Sequence, residues 1–187
     1  MLNIFLISLG LVSLAELGDK TQLLAMLLAA RFHRPWTILA GILIATLANH
    51  LLAASVGDLA GDVLKASWAR WVLGLGFIAF AAWSLIPDKV EEEDRPQRSA
   101  RSVFLTTLIA FFLAEMGDKT QVATLALAAR FHSILWVAAG TTLGMMLANG
   151  PAVFISRAAA HRIPFGLLRA AAAAAYAALG VWTIIRG

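Results

Sequence analysis

Cysteine is absent from this 187-residue chain, which excludes disulfide staples and thiolate metal sites. Charge is scarce as well: Asp, Glu, Lys and Arg make up 14% of the residues against 60% hydrophobic ones, and mean hydropathy is +0.80. So little polar surface excludes an ordinary water-soluble domain. The net charge of +4 and pI near 10.1 would suit a nucleic-acid binder. The basic residues, however, are scattered through short breaks with no aromatic and basic platform, so nucleic acid is excluded as a partner and the excess reads as membrane topology. No Lys or Arg precedes the apolar stretch Met1 to Ala15, as a signal-peptide core would require, so a retained helix is expected there.

What the chain does have is long apolar runs. Six lie between polar breaks, near residues 2–30, 36–56, 68–86, 103–129, 134–156 and 165–185, and several reach the roughly 20 residues that a helix needs to cross about 30 Å of hydrocarbon. Only the middle connection is overtly hydrophilic. It holds Asp88, Lys89, Glu91, Glu92, Glu93, Asp94, Arg95, Arg98 and Arg101 between Pro87 and the fourth run, the composition of a solvated linker.

Glu16 to His33 reads ELGDKTQLLAMLLAARFH and Glu115 to His132 reads EMGDKTQVATLALAARFH, identical at 12 of 18 positions. Gly41 matches Gly140 at the same offset, and Leu47-Ala48-Asn49 matches Leu147-Ala148-Asn149 after a one-residue slip. The expected fold is therefore all-α and membrane-integral, with residues 1–87 and 103–187 as two three-helix repeats joined by a linker over 88–102. Three crossings per unit force the second copy to enter from the opposite face, so the repeats are expected to be inverted. Alternate loops hold nine basic residues on one side (Arg31, Arg34, Lys89, Arg95, Arg98, Arg101, Arg157, Arg162, Arg169) and four on the other (Lys65, Arg70, Arg130, Arg186). By the positive-inside rule the linker is cytoplasmic and both termini are outside. Trp36, Trp68, Trp71, Trp136 and Trp182 fall near expected helix ends, where indole rings favour the headgroup zone.

Each long first segment carries buried charge: Glu16, Asp19 and Lys20 in one half, Glu115, Asp118 and Lys119 in the other. At about 2.5–3.5 kcal/mol per charge at a helix centre, four acids oppose insertion by on the order of 10 kcal/mol unless neutralised or bound. Glu16, Asp19 and Gln22 are spaced three apart, as are Glu115, Asp118 and Gln121, so their oxygens can share a helical face. Gly18 and Gly117 sit where a helix can break and offer backbone carbonyls. A break also suits length, since about 29 helical residues measure roughly 43 Å, more than the hydrocarbon core. Two motifs with two carboxylates and one ammonium each sum to −2, which one divalent cation balances. With Thr21, Thr120, Asn49 and Asn149 added, the donors are all hard oxygens, suited to Mn²⁺, Ca²⁺ or Mg²⁺. Asn49 and Asn149 are equally readable as interhelical hydrogen-bond glue, and His33 and His132 as interfacial residues. Purely structural Glu–Lys pairing is disfavoured by the duplication.

At ELGDKTQ and EMGDKTQ the sequence resembles the Gdt-type family of cation/proton exchangers, which carry two Glu-x-Gly-Asp-Lys-Thr/Ser signatures on six-helix inverted repeats. The resemblance implies export of Mn²⁺, or Ca²⁺, against protons, with no permanently bound cofactor. It implies that Glu16, Asp19, Glu115 and Asp118 bind metal and exchange protons beside Thr21, Thr120, Gln22 and Gln121, with Lys20 and Lys119 tuning them. Together with the compact chain it places the protein in a bacterial inner membrane, where lipid, metal ion and protons are its partners and a second copy of the chain is admitted as another. The competing readings are a passive divalent cation channel and a basic amino-acid exporter. An intramembrane enzyme lacks support, because no nucleophile or cofactor fingerprint accompanies the acids.

Overall fold

The computed structural model describes residues 1–63, 69–85, 99–155 and 165–186, which are helical with no strand among them. In chain order the helices are α1 (Leu2–Glu16), α2 (Lys20–Phe32), α3 (Pro35–Val63), α4 (Ala69–Ser84), α5 (Ala100–Glu115), α6 (Lys119–Phe131), α7 (Ile134–Phe154) and α8 (Phe165–Arg186). The element order of the first four recurs in the last four. Each expected long first segment is broken in the middle of its motif, with α1 and α2 meeting at 69° and α5 and α6 at 67°. Gly18 and Gly117 make the breaks, at φ 85° and 75°, a region that residues with a Cβ seldom enter. At the far ends of α2 and α6, His33 and His132 take left-handed conformations and donate their N–H groups to Ala29 O and Ala128 O, closing both helices in the same way.

The two halves are packed through each other rather than side by side. α1 lies against α7 and α5 against α3, so the first helix of each half packs on the middle helix of the other; α3 packs on α7 and α4 on α8. Glycine permits these approaches at equivalent places. A Cβ on Gly140 would stand 2.6 Å from Phe5 O, and one on Gly41 would stand 3.1 Å from Phe104 O. Small residues at helix crossings are what packing in lipid demands, since hydrocarbon gives no hydrophobic drive for helix association. Two apolar clusters result, one around Leu11, Phe77, Leu127 and Tyr176, the other around Met26, Ile38, Ile42 and Phe111.

The outward surface is apolar, with Leu2, Leu59, Leu113, Leu135 and Ile185 all more than half exposed, as a lipid-facing coat requires. Trp36, Trp71, Trp136 and Trp182 are also exposed. Among the described residues two helices are long and apolar enough to cross a membrane alone, Pro35–Ala60 and Ile134–Phe154; counting each bent pair as one broken span makes four. By length and composition the described residues thus supply two to four candidate spans beside the six expected from the sequence. The third segment of each half is helical, α4 over 16 residues and α8 over 22. Residues 88–98 of the expected linker lie outside the described residues, as do Lys65, Trp68, Arg157 and Arg162, while Ser99 caps α5 and the linker's last residues begin that helix.

Candidate functional site

Because each break falls between Glu and Lys of its motif, it releases Asp19 and Asp118 from helical geometry and places them at the N-caps of α2 and α6. An Asp at that position ordinarily caps its own helix. Here neither side chain does; both turn toward the other half. Lys20 Nζ donates to Asp118 Oδ1 at 2.7 Å and Lys119 Nζ to Asp19 Oδ1 at 3.4 Å. The two motifs, 99 residues apart in sequence, therefore form one site. It is dry: Glu16 and Glu115 are fully buried, Asp19 and Asp118 nearly so, and Lys119 is buried whereas the Lys20 side chain keeps 28% exposure.

The remaining motif side chains fall into two jobs. Thr21 donates its hydroxyl to Glu16 Oε2 at 2.6 Å, and Thr120 donates to Glu115 Oε2 at 2.9 Å, so each threonine orients the glutamate of its own half. Gln22 Oε1 accepts from Gly18 N–H at 2.8 Å and Gln121 Oε1 from Gly117 N–H at 2.6 Å, which ties the broken backbone to the helix that follows. Gln22 also donates to Ala148 O on α7. The glutamine oxygens thus face the backbone of the break, while the second carboxylate oxygens, Glu16 Oε1, Glu115 Oε1 and Asp118 Oδ2, accept no hydrogen bond from the described residues. Asn49 donates to Phe112 O on α5 at 3.0 Å, leaving its own oxygen without a donor. Asn149 lies beside Glu16 with no well-formed hydrogen bond at either amide atom.

Oxygens of Glu16, Asp19 and Asp118 lie within 4.8 Å of one another. Three carboxylates from two halves converging in a dry interior repel one another strongly. A hard divalent cation removes that repulsion, and protons do so one carboxylate at a time. The three oxygens, with the Asn149 amide beside Glu16, are a donor set of the kind that Mn²⁺ and Ca²⁺ accept.

The family model for the divalent cation/proton antiporter GDT1 matches residues 4–92 and 103–187, which takes in both motifs and nearly all of the chain. The chain belongs to the GDT1 family. Its relatives include a Vibrio cholerae protein named "Putative manganese exporter", 49% identical over 170 residues that cover 90% of this chain and 84% of that protein. A GDT1-like protein of Synechocystis is 31% identical, covering 87% of both chains. GDT1-like protein 4 of Oryza sativa subsp. indica is 28% identical over 89% of this chain and 67% of its own. No solved structure matches the chain.

Two buried titratable groups of this GDT1 protein lie outside the repeated motifs, among the described residues. Tyr176 on α8 is buried and within electrostatic reach of Glu16, Asp118 and Asp19. It is the one tyrosine in the sequence, and Phe77 holds the position 99 residues earlier, which is the signal that would have singled it out. His50, next to Asn49, is fully buried with its Nδ1 3.4 Å from Thr142 Oγ1 and its Nε2 without a hydrogen bond. Gly150 stands in its place after Asn149. His33 and His132 are exposed at the helix ends, where His132 Nδ1 lies 3.7 Å from Asp58 Oδ1.

Proposed function

We propose that this GDT1 protein exports divalent metal cations, Mn²⁺ first and Ca²⁺ second, from the cytoplasm in exchange for protons by alternating access. In this reading six crossings form two inverted three-helix repeats in a bacterial inner membrane, with the linker cytoplasmic and both termini outside. The observation that carries it is the meeting of Glu16, Asp19 and Asp118 from both halves within 4.8 Å. A site contributed by two repeats at the bends of broken helices suits a carrier in which the repeats rock about a fixed centre. The Vibrio cholerae relative's name is what ranks manganese above calcium.

The empty site holds itself together through the crossed Lys20–Asp118 and Lys119–Asp19 pairs. An entering cation competes with these ammonium groups for the same carboxylates, and the threonines keep each glutamate aimed inward. Protons arriving from the acidic face compete in turn, so metal leaves where protons are abundant and binds where they are scarce. Because both cargoes need the same oxygens, metal and protons cannot be carried together in one direction, and their exchange follows.

Proteoliposomes with an imposed pH gradient test this. Mn²⁺ is expected to move uphill against protons in the wild type, with uphill flux lost in Glu16→Gln and in Asp118→Asn. Mn²⁺ flux that ignores the gradient would make the protein a passive conduit, and flux unaffected by either substitution would remove these carboxylates from the path.

A further inference from the structure

The two halves repeat in sequence, yet their contributions to the site are unequal. Glu16 joins Asp19 and Asp118 in the convergent group, and Glu115 does not. Asn149 lies beside Glu16, whereas Asn49 is bound to Phe112 O. The backbone position equivalent to Phe112 in the first half is Ser13, 99 residues earlier, and Asn149 makes no such bond to it; the Ser13 hydroxyl instead reaches Gly144 O at 3.3 Å. Asn149 is fully buried, and its amide faces Glu16 without well-formed hydrogen-bond geometry at either atom, so it is aimed at the carboxylate group and not tied to a helix backbone as Asn49 is. Helix packing is skewed in the same sense: α8 packs on α1 and α4 on α6, while the equivalent pairings of α4 with α5 and α8 with α2 are at most marginal.

We propose that Glu16 with Asn149 and Glu115 with Asn49 are two alternate ligand pairs around a shared Asp19–Asp118 centre, and that the cation passes from one pair to the other as the carrier changes face. This rests on the exchanger reading and adds to it a division of labour. In the conformation described here the Glu16–Asn149 pair is assembled, with the amide oxygen of Asn149 as the neutral ligand. The Glu115–Asn49 pair is parked, its asparagine tied to α5. In the opposite conformation Asn149 takes up the Ser13 carbonyl and Asn49 leaves that of Phe112, which exchanges the roles of the halves. The bond from Asn49 to Phe112 O is thus a marker of state, broken and remade once per cycle, and each asparagine serves one face of the membrane.

The test is exchange of radioactive for unlabelled Mn²⁺ in membrane vesicles of uniform orientation, with no pH gradient, giving a KM for each face. Asn149→Ala is expected to raise KM about 10-fold at one face, the order expected when a group supporting a metal is lost, and less than about 2-fold at the other. Asn49→Ala is expected to do the same with the faces reversed. If an alanine variant does not accumulate, Asn→Thr at that position, with an oxygen of shorter reach, is measured in its place. Equal effects at both faces, or effects of both variants at the same face, would overturn the handover. The second of these outcomes would make the asymmetry a fixed result of Gly150-Pro151 following Asn149 where His50-Leu51 follows Asn49. Because this exchange needs no proton movement, a wild type that exchanges Mn²⁺ but is not driven by a pH gradient would sink the exchanger reading alone. Symmetric variants in a gradient-driven protein would sink the handover alone, and a wild type that exchanges no Mn²⁺ sinks both.

Discussion

Lys20 in the first half donates to Asp118 in the second at 2.7 Å, closer than the reciprocal contact of Lys119 with Asp19 at 3.4 Å. The closer pair is the wetter one: the Lys20 side chain is 28% exposed and that of Lys119 only 4%. Breaking a buried ion pair from one side costs about 3–5 kcal/mol because a charge is left uncompensated, and solvent lowers that cost where it can reach. Lys119→Met should therefore lower the melting temperature of the metal-free protein more than Lys20→Met. Added Mn²⁺, which restores positive charge beside the same carboxylates, should recover a good part of the loss. Equal melting temperatures for the two variants, or no response to Mn²⁺, would show that the crossed pairs do not stabilise the empty site.

The difference in exposure has a second consequence, which the lack of cysteine makes easy to read. A single cysteine introduced by Lys20→Cys should react with a charged, water-soluble thiol reagent at least several-fold faster than one introduced by Lys119→Cys. Saturating Mn²⁺ should slow the Lys20→Cys reaction by filling the site. Faster labelling at position 119 would place the aqueous path on the other side of the centre.

Glycines divide cleanly by what surrounds them. A Cβ at Gly140 would press on Phe5 O and Ser8, whereas one at Gly10 would meet nothing within 4 Å. Gly140→Ala is expected to destabilise the protein by about 1–3 kcal/mol, as overpacking does. Gly10→Ala should be neutral or stabilising by up to about 1 kcal/mol, the helix-propensity gain. Thermal unfolding in detergent separates the two, and comparable losses would mean that α1 and α7 do not pack as described.

Gln22 is tied at both ends, accepting from Gly18 N–H and donating to Ala148 O. Replacement by Leu keeps the volume, leaves the part-buried Gly18 N–H without its acceptor at about 1–3 kcal/mol, and removes the bond to Ala148 O. A melting temperature several degrees lower is expected, with little change in the Mn²⁺ affinity of the protein that remains folded. A normal melting temperature with much weaker Mn²⁺ binding would instead make Gln22 a direct ligand.

Much of this molecule was legible in its sequence because the signals were local. The duplication, the motif glycines as break points and the buried acids each follow from a few adjacent residues and the price of charge in hydrocarbon. What escaped depends on contacts about 100 residues apart. Spacing of three put Glu16, Asp19 and Gln22 on one continuous helical face, but the turn at Gly18 swings Asp19 to Lys119 and draws the Gln22 oxygen back to the backbone. Two equal asparagines in sequence became unequal in space, since only the packing of α5 on α3 decides that Asn49 finds Phe112 O. Tyr176 and His50 escaped because neither is repeated, and repetition was the signal being followed.

The central claim is that metal and protons compete for one set of carboxylates. Mixing purified protein with Mn²⁺ in weakly buffered solution and following pH reads that competition without any transport. Binding should release protons in proportion to the metal bound, and Asp118→Asn should reduce both the binding and the release. Tight Mn²⁺ binding with no change in pH, across the range where the wild type transports, would contradict the account.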